Sequence, residues 1–322
     1  MELKTTIPAH KGLCQIDHAS RIMLVGSCFS TEVGLKLNQA GFHTHVNPFG
    51  TLFNPHSIFE SLNIAVRNKK FGSSDFFEHN GLWHSYKLHS KFSSFHLNDA
   101  ISTINANIEA ANKFIFNANV LIITFGSAWV YELKESERVV ANCHKMPQSL
   151  FNKRKLGINE IITDYSHLLE HLKGANPNLK VIFTVSPVKH LKDGFIENTW
   201  SKSTLNVSIH ELVRRFDFCD YYPSFEILND DLRDYRFYKN DMVHPSDLAT
   251  QYIFDHFKKS YCTPETIQMA GEFAQLTRSI EHRTVNREST EYSKFITDLK
   301  SRAERLMNVN EGKVKELLSS LN

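Results

Sequence analysis

The sequence predicts an α/β fold, a parallel sheet covered by helices on both faces. Three short runs, residues 22–25, 120–123 and 180–185, are apolar or nearly so on both strand faces, as central parallel strands are. Each is closed by a breaker: Gly26, Gly126 and Ser186-Pro187. Segments of helical periodicity lie between them, and that alternation builds a sheet with helices on both sides.

Taken in order, residues 22–25 form the first strand. A helix over 31–40 follows, with Val33, Leu35 and Leu37 along it, Ser30 as N-cap and Gly41 as stop. An extended piece over 42–46 leads into a turn at Asn47-Pro48-Phe49-Gly50, and residues 57–66 are helical again. Residues 68–97 hold Gly72, Ser73, Ser74, Gly81 and scattered aromatics and histidines. They read as an insertion loop with a short hairpin, placed to be a lid. The spacing of Ile101, Ile104, Ile108 and Ala111 predicts a helix over 99–114. A strand over 119–126, a helix over 159–172, a strand over 180–185 and a helix over 201–216 come next. A short strand over 219–222 and a helix over 247–259 complete a domain of residues 1–262. Beyond Cys262-Thr263-Pro264 no apolar strand occurs, and residues 263–322 read as a two-helix appendage. Its nine basic and nine acidic residues over 265–322 cancel, so it is expected to pack on the core or to pair with a second copy as a homo-oligomer.

Composition narrows the function. The 37 basic and 35 acidic residues leave a formal charge of +2, without the basic excess of a nucleic-acid binder, and no membrane-surface partner is expected. No apolar run approaches the roughly 18 residues of a membrane span, and residues 1–16 show no secretory core. Five widely spaced cysteines without a Cys-x-x-Cys pair suggest reduced thiols and a cytoplasmic location. His84, His89 and His96, with Cys143 and His144 elsewhere, fit no zinc spacing, so no metal is expected.

Chemistry concentrates at two places. Gly26-Ser27-Cys28-Phe29 follows the first strand and precedes a helix, where open α/β sheets bind ligands and where a helix N-terminus favours negative charge. Asp241-Met242-Val243-His244-Pro245-Ser246 is the other. An Asp three residues before a His can hold its Nδ1 and leave Nε2 free to serve a serine. Capping of the following helix is the structural alternative.

These segments resemble the GSCFA family, which is similar to the SGNH or GDSL-like hydrolases. Gly26-Ser27-Cys28-Phe29-Ser30 resembles its opening motif and Val243-His244-Pro245-Ser246, with Asp241, its last. Between them Asn47-Pro48-Phe49-Gly50, Phe125-Gly126-Ser127-Ala128-Trp129, Asn142-Cys143-His144-Lys145 and Thr184-Val185-Ser186-Pro187-Val188 fall in the family's order. The resemblance covers roughly residues 20–260. It implies a three-layer α/β/α flavodoxin-like sandwich and a hydrolase acting on esters. Ser27 matches the nucleophile, His244 the base and Asp241 the orienting acid. Gly50 and Ser27 match the backbone oxyanion donors, and Gly126 the third-motif glycine. SGNH enzymes carry an asparagine as a further donor where this chain has Ala128. Ser127, Trp129, Asn47 and Asn142 are the replacements to examine, and His144 is a candidate pocket residue.

The expected function is therefore esterase or deacylase activity on an O-acyl ester, a small molecule or a carbohydrate, through an acyl-enzyme. Acyl transfer at the same site, or a non-catalytic binding domain, are the alternatives. Cys28 is a rival nucleophile at the helix N-terminus; side chains alternate on leaving a strand, so one of Ser27 and Cys28 is expected to face the cleft. No cofactor is expected: one glycine after the first strand makes no phosphate-cradling loop.

Overall fold

The computed structural model describes residues 5–281 and 290–319. β1 (Arg21–Gly26), α1 (Cys28–Gln39), β2 (His43–Val46) and α2 (Pro55–Val66) open the chain. The hairpin β3 (Phe77–His79) and β4 (Leu82–His84) leads to α3 (Leu97–Ile115) and β5 (Val120–Phe125). Three further strands, β6 (Trp129–Leu133), β7 (Val139–Val140) and β8 (Phe151–Lys155), precede α4 (Ile158–Ala175) and β9 (Lys180–Val185). Then come α5 (Phe195–Arg215), β10 (Cys219–Tyr221), a short α6 (Ser224–Glu226) running into a π-helical turn, and α7 (Asp247–Tyr261).

The main sheet is wholly parallel, in the order β10-β9-β5-β1-β2. Alternate residues of its strands feed two apolar cores. Met23, Val25, Leu121, Ile123, Val181 and Phe183 pack with Ile58, Leu62, Ile104, Leu168 and Leu205 of α2, α3, α4 and α5. Ile22, Leu24, Val120, Ile122 and Ile182 pack with Val33 and Leu37 of α1 and Ile253 and Phe257 of α7. The result is the expected three-layer α/β/α sandwich. No helix among the described residues is long and apolar enough to cross a membrane.

Several boundaries differ from the sequence reading. α1 begins at Cys28, so Ser27 rather than Ser30 is its N-cap residue. Ser30 is instead buried, its hydroxyl 2.7 Å from Thr124 Oγ1, tying the helix to β5. α5 starts at Phe195, six residues early, because its first turns leave Phe195, Ile196 and Trp200 exposed and so hide its core stripe. The antiparallel sheet β7-β6-β8 is absent from the sequence reading. Its longer strands β6 and β8 are mostly half-buried, with Arg154 of β8 bonded across to Glu132 of β6.

The C-terminal appendage has three helices among the described residues, α8 (Pro264–Glu281), α9 (Thr290–Leu306) and α10 (Glu311–Ser319), around Phe273, Leu276, Leu299 and Leu306. It packs on the core at the C-terminal end of α1. Thr277 Oγ1 donates to Gln39 O, Asn310 Nδ2 to Gly41 O and Lys313 Nζ to Asn38 Oδ1. The first of these satisfies a carbonyl that the helix end leaves unpaired.

Gly26 joins β1 to α1 at φ +134°, and a Cβ there would stand 2.1 Å from Thr124 O. Gly26→Ala should therefore destabilise the fold by about 3 kcal/mol or more, combining backbone strain with overpacking. Gly271, inside α8 with nothing within 4 Å of a would-be Cβ, is the control: Gly271→Ala should add about 0.5–1 kcal/mol. Urea unfolding of both variants checks the pair.

Candidate active site

β1 lies between β2 and β5. The chain leaves β1 toward β2, then crosses back to β5, so the carboxyl ends of β1 and β5 flank a topological switch point, where α/β sheets form ligand crevices. Ser27 stands there. It is wholly buried, and its Oγ has no hydrogen-bond partner. Its amide donates to Thr124 O at 3.2 Å, extending the β1–β5 ladder by one bond. Cys28, the first residue of α1, is half-buried and lines an open cleft. One of the two faces the cleft, as expected from their positions, but it is Cys28 rather than Ser27 that lines it.

Asp241 and His244 sit on the loop before α7. Asp241 Oδ1 accepts the amides of Val243 and His244, both at 2.9 Å, and Oδ2 is 2.7 Å from His244 Nδ1. Those two amides, His244 first, and the imidazole hold the Asp241 carboxyl down at about 2. The loop is braced by Lys239 N–H to His244 O at 2.7 Å and Ser246 N–H to Phe237 O at 2.8 Å. Ser246 also caps α7 through Ala249 N–H, so capping falls to Ser246 and leaves the Asp241–His244 pair free for another use. His244 lines the cleft that Cys28 lines. Its Nε2 makes no hydrogen bond to Ser27 Oγ in this structure; such bonds often tighten only when substrate binds.

The other candidates divide. Ser127, Trp129 and Asn142 line the cleft, with Phe53 and Tyr131. Their polar groups are partly used: Ser127 Oγ accepts Trp129 N–H, Trp129 Nε1 donates to Glu197 O and Asn142 Oδ1 accepts His144 N–H. Asn47 does not reach the cleft. Its Oδ1 accepts Gly26 N–H at 2.8 Å and its Nδ2 donates to Thr31 Oγ1, making it a clamp behind the site. The Gly50 amide is not a free donor either, since it closes the turn onto Asn47 O at 2.8 Å. Gly50 packs against His89, where a Cβ would meet the His89 side chain at 2.3 Å. His144 is buried with Nε2 on Ser85 O and its ring tilted against that of His84, 4.6 Å between centroids. The insertion over 68–97 likewise contributes nothing to the cleft wall; it braces residues 139–144 and the Asn47 turn, with Ala141 N–H on Tyr86 O and Lys91 Nζ on Asn47 O. The wall is supplied instead by β6, β7 and β8.

Burial raises the Cys28 thiol above its ordinary value despite the amides of Phe29 and Cys28 that face the sulfur, which disfavours the thiolate that its helix-terminal position suggested.

The GSCFA family model matches residues 21–257, most of the chain. The protein belongs to the GSCFA family. No curated protein matches it. Among solved structures it is similar to a family 3 carbohydrate esterase from Talaromyces cellulolyticus, at 11% identity and TM-score 0.36, over 79% of this chain and 99% of that one. It is similar to a Clostridium thermocellum family 3 carbohydrate esterase at 13% identity and TM-score 0.36, over 79% and 98%. A family 2 carbohydrate esterase with a carbohydrate-binding domain, from Corynascus thermopiles, gives 12% identity and TM-score 0.40, over 83% and 69%. Likeness at this level says nothing about substrate.

Two residues of this GSCFA protein escaped the sequence reading. Lys202 of α5 is buried, its Nζ donating to Gly126 O and Ser186 O, both at 2.7 Å. It pins together the chain ends that leave β5 and β9. Burial pulls its ammonium down to about 7. His190 follows the Thr184–Val188 motif by two residues, and its amide is anchored on Asn198 Oδ1 at 2.9 Å. Its Nε2 is buried without a partner. Burial first, then the charges of Lys202 and His244, lower its pKa to about 3. A Cβ on Gly126 would stand 3.2 Å from His190 Nε2 and 3.3 Å from Ser27 Cβ, so glycine at 126 lets both side chains approach one point. Position after a matched motif was the available signal for His190; a lysine in a helix gave none.

Lys202→Met leaves two buried carbonyls unpaired and should destabilise the protein by about 1–3 kcal/mol for each. Between about 7 in the folded state and about 10.4 in the unfolded chain, the unfolded state binds more protons, so Lys202 makes stability rise with pH. Urea unfolding at several pH values across that window should show the rise in wild type and a flatter dependence in Lys202→Met.

Proposed function

We propose that this GSCFA protein is a serine hydrolase that cleaves an ester through an acyl-enzyme on Ser27. The observation that carries the reading is the Asp241–His244 pair, bonded at 2.7 Å and opening on the cleft that begins at the N-terminus of α1. Ser27 Oγ gives up no hydrogen bond when it turns toward that cleft. It attacks the acyl carbonyl while His244 Nε2 takes its proton. Asp241 fixes the tautomer and stabilises the imidazolium. His244 then returns the proton to the leaving alkoxide, and water, activated the same way, releases the acyl group. The N-terminus of α1 favours the negative charge that develops beside it. Phe53, Trp129 and Tyr131, with polar Ser127 and Asn142, give the cleft flat apolar surfaces edged by hydrogen-bonding groups. That lining suits an O-acyl sugar, and a sugar hydroxyl in place of water would make the same site an acyltransferase. The complete burial of Ser27 favours a second reading, a binding domain without turnover.

Hydrolysis of p-nitrophenyl acetate separates the two. Ser27→Ala and His244→Ala should each lower kcat/KM by about 1,000-fold or more, and Cys28→Ala should leave it nearly unchanged. Wild-type turnover no greater than that of Ser27→Ala would favour the binding domain. Because Asp241 is held at about 2, it stays ionised down to strongly acid pH. Any acid limb of the activity should therefore not be Asp241's own, and Asp241→Asn should lower kcat by about 10,000-fold. A pH profile of kcat/KM and the variant's kcat check both.

A further inference from the structure

The amides around Ser27 are already committed. Ser27 N–H donates to Thr124 O, Gly50 N–H to Asn47 O, and Gly126 and Ser127 N–H to Phe53 O. Ala128 N–H donates to Ser201 Oγ, and an alanine has no side-chain donor to add. The amides of Cys28 and Phe29 face the Cys28 sulfur. One buried polar atom beside Ser27 remains unspent: Nε2 of His190, which has no partner and stands with Ser27 Cβ against the same point over Gly126. His190 also lines the cleft. Its loop is tied to that of His244 by Lys189 N–H on Val243 O at 3.1 Å.

We propose that His190 is a catalytic residue, donating its Nε2–H to the oxyanion formed when Ser27 attacks the acyl carbonyl. The proposal rests on the serine hydrolase reading and goes further, naming the donor that the committed amides do not supply. The ring is suited to the task because burial and the neighbouring cations keep it uncharged through the working pH range. A neutral imidazole can polarise a carbonyl oxygen, and an uncharged His190 does not oppose the positive charge that His244 acquires as it takes the Ser27 proton. The Phe53 ring, edge-on to His190 at 5.5 Å between centroids, holds it in orientation.

The test compares full-length wild type with His190→Phe, which keeps bulk and removes the donor, and His190→Asn, which restores a shorter one. Readouts are p-nitrophenyl acetate kinetics and inhibition by phenylboronic acid, whose tetrahedral serine adduct places an oxygen where the oxyanion forms. His190→Phe should lower kcat by about 100- to 1,000-fold with KM changed by less than about threefold, as removal of one oxyanion donor does. Phenylboronic acid should bind it more weakly by a similar factor, the acid limb of the pH profile should stay in place, and His190→Asn should recover part of both losses. Unchanged kcat and boronate affinity in His190→Phe would overturn the proposal, as would a loss confined to KM and thermal stability. A His190→Phe as inactive as Ser27→Ala beside an active His244→Ala would make His190 the base, and would also overturn it. Wild type that neither turns over ester nor binds the boronate would remove the hydrolase reading itself, and the donor role with it.

Discussion

The backbone of Gly26 lies so close to Thr124 that a side chain between β1 and β5 has no room. That approach fixes the rest of the site. Asn47 holds the Gly26 amide from one side, Leu52 N–H holds its carbonyl from the other, and the next amide, that of Ser27, is drawn onto Thr124 O. α1 must then begin at Cys28, with Ser27 at its positive end and at the crevice between the two strands. A second close approach, Gly126 against Ser27 and His190, brings the end of β5 to the same place. Lys202 locks that end to the end of β9 through two carbonyls. The candidate site is therefore assembled from the exits of three parallel strands, and the Asp241–His244 loop approaches from outside the sheet.

The division of labour between rigid and open parts follows from this. The strand exits are buried and their amides satisfied, whereas Asp241 and His244 are about half exposed, with side-chain exposures of 49% and 43%. What holds the pair is local: one carboxylate takes two amides of its own loop and one ring nitrogen. The C-terminal helices do not attend the site. They are fastened to the far end of α1, roughly 18 Å along a 12-residue helix at 1.5 Å per residue, and their polar side chains finish that helix instead.

Much of the fold was legible because buried parallel strands are apolar on both faces, and β1, β5 and β9 carry that signature. Element ends were less so. Ser27 caps α1 by position without a side-chain bond, so no sequence signal separated it from Ser30. β6 and β8 escaped because β8 is largely polar and charged, Asn152-Lys153-Arg154-Lys155, and its pairing with β6 shows no alternating apolar face in its sequence. At the site, the Asp241–His244 pair was readable because three residues in a tight loop suffice to bring the groups together. Asn47 and Gly50 were carried toward the pocket by motif alone; which acceptor each amide would find depends on tertiary contacts. Lys202 shows the same limit, since a lysine in a helix ordinarily faces water, and here the helix turns it onto two carbonyls.

The central claim is that the residue at the junction of β1 and α1 that reacts is Ser27, not its cleft-lining neighbour Cys28. Peptide mapping by mass spectrometry after treating the full-length protein with a fluorophosphonate tests it most directly. The account predicts a single phosphonylated serine at position 27, formed in Cys28→Ala and lost in His244→Ala. A wild-type protein left unlabelled, or labelled elsewhere at the same rate in His244→Ala, would contradict it.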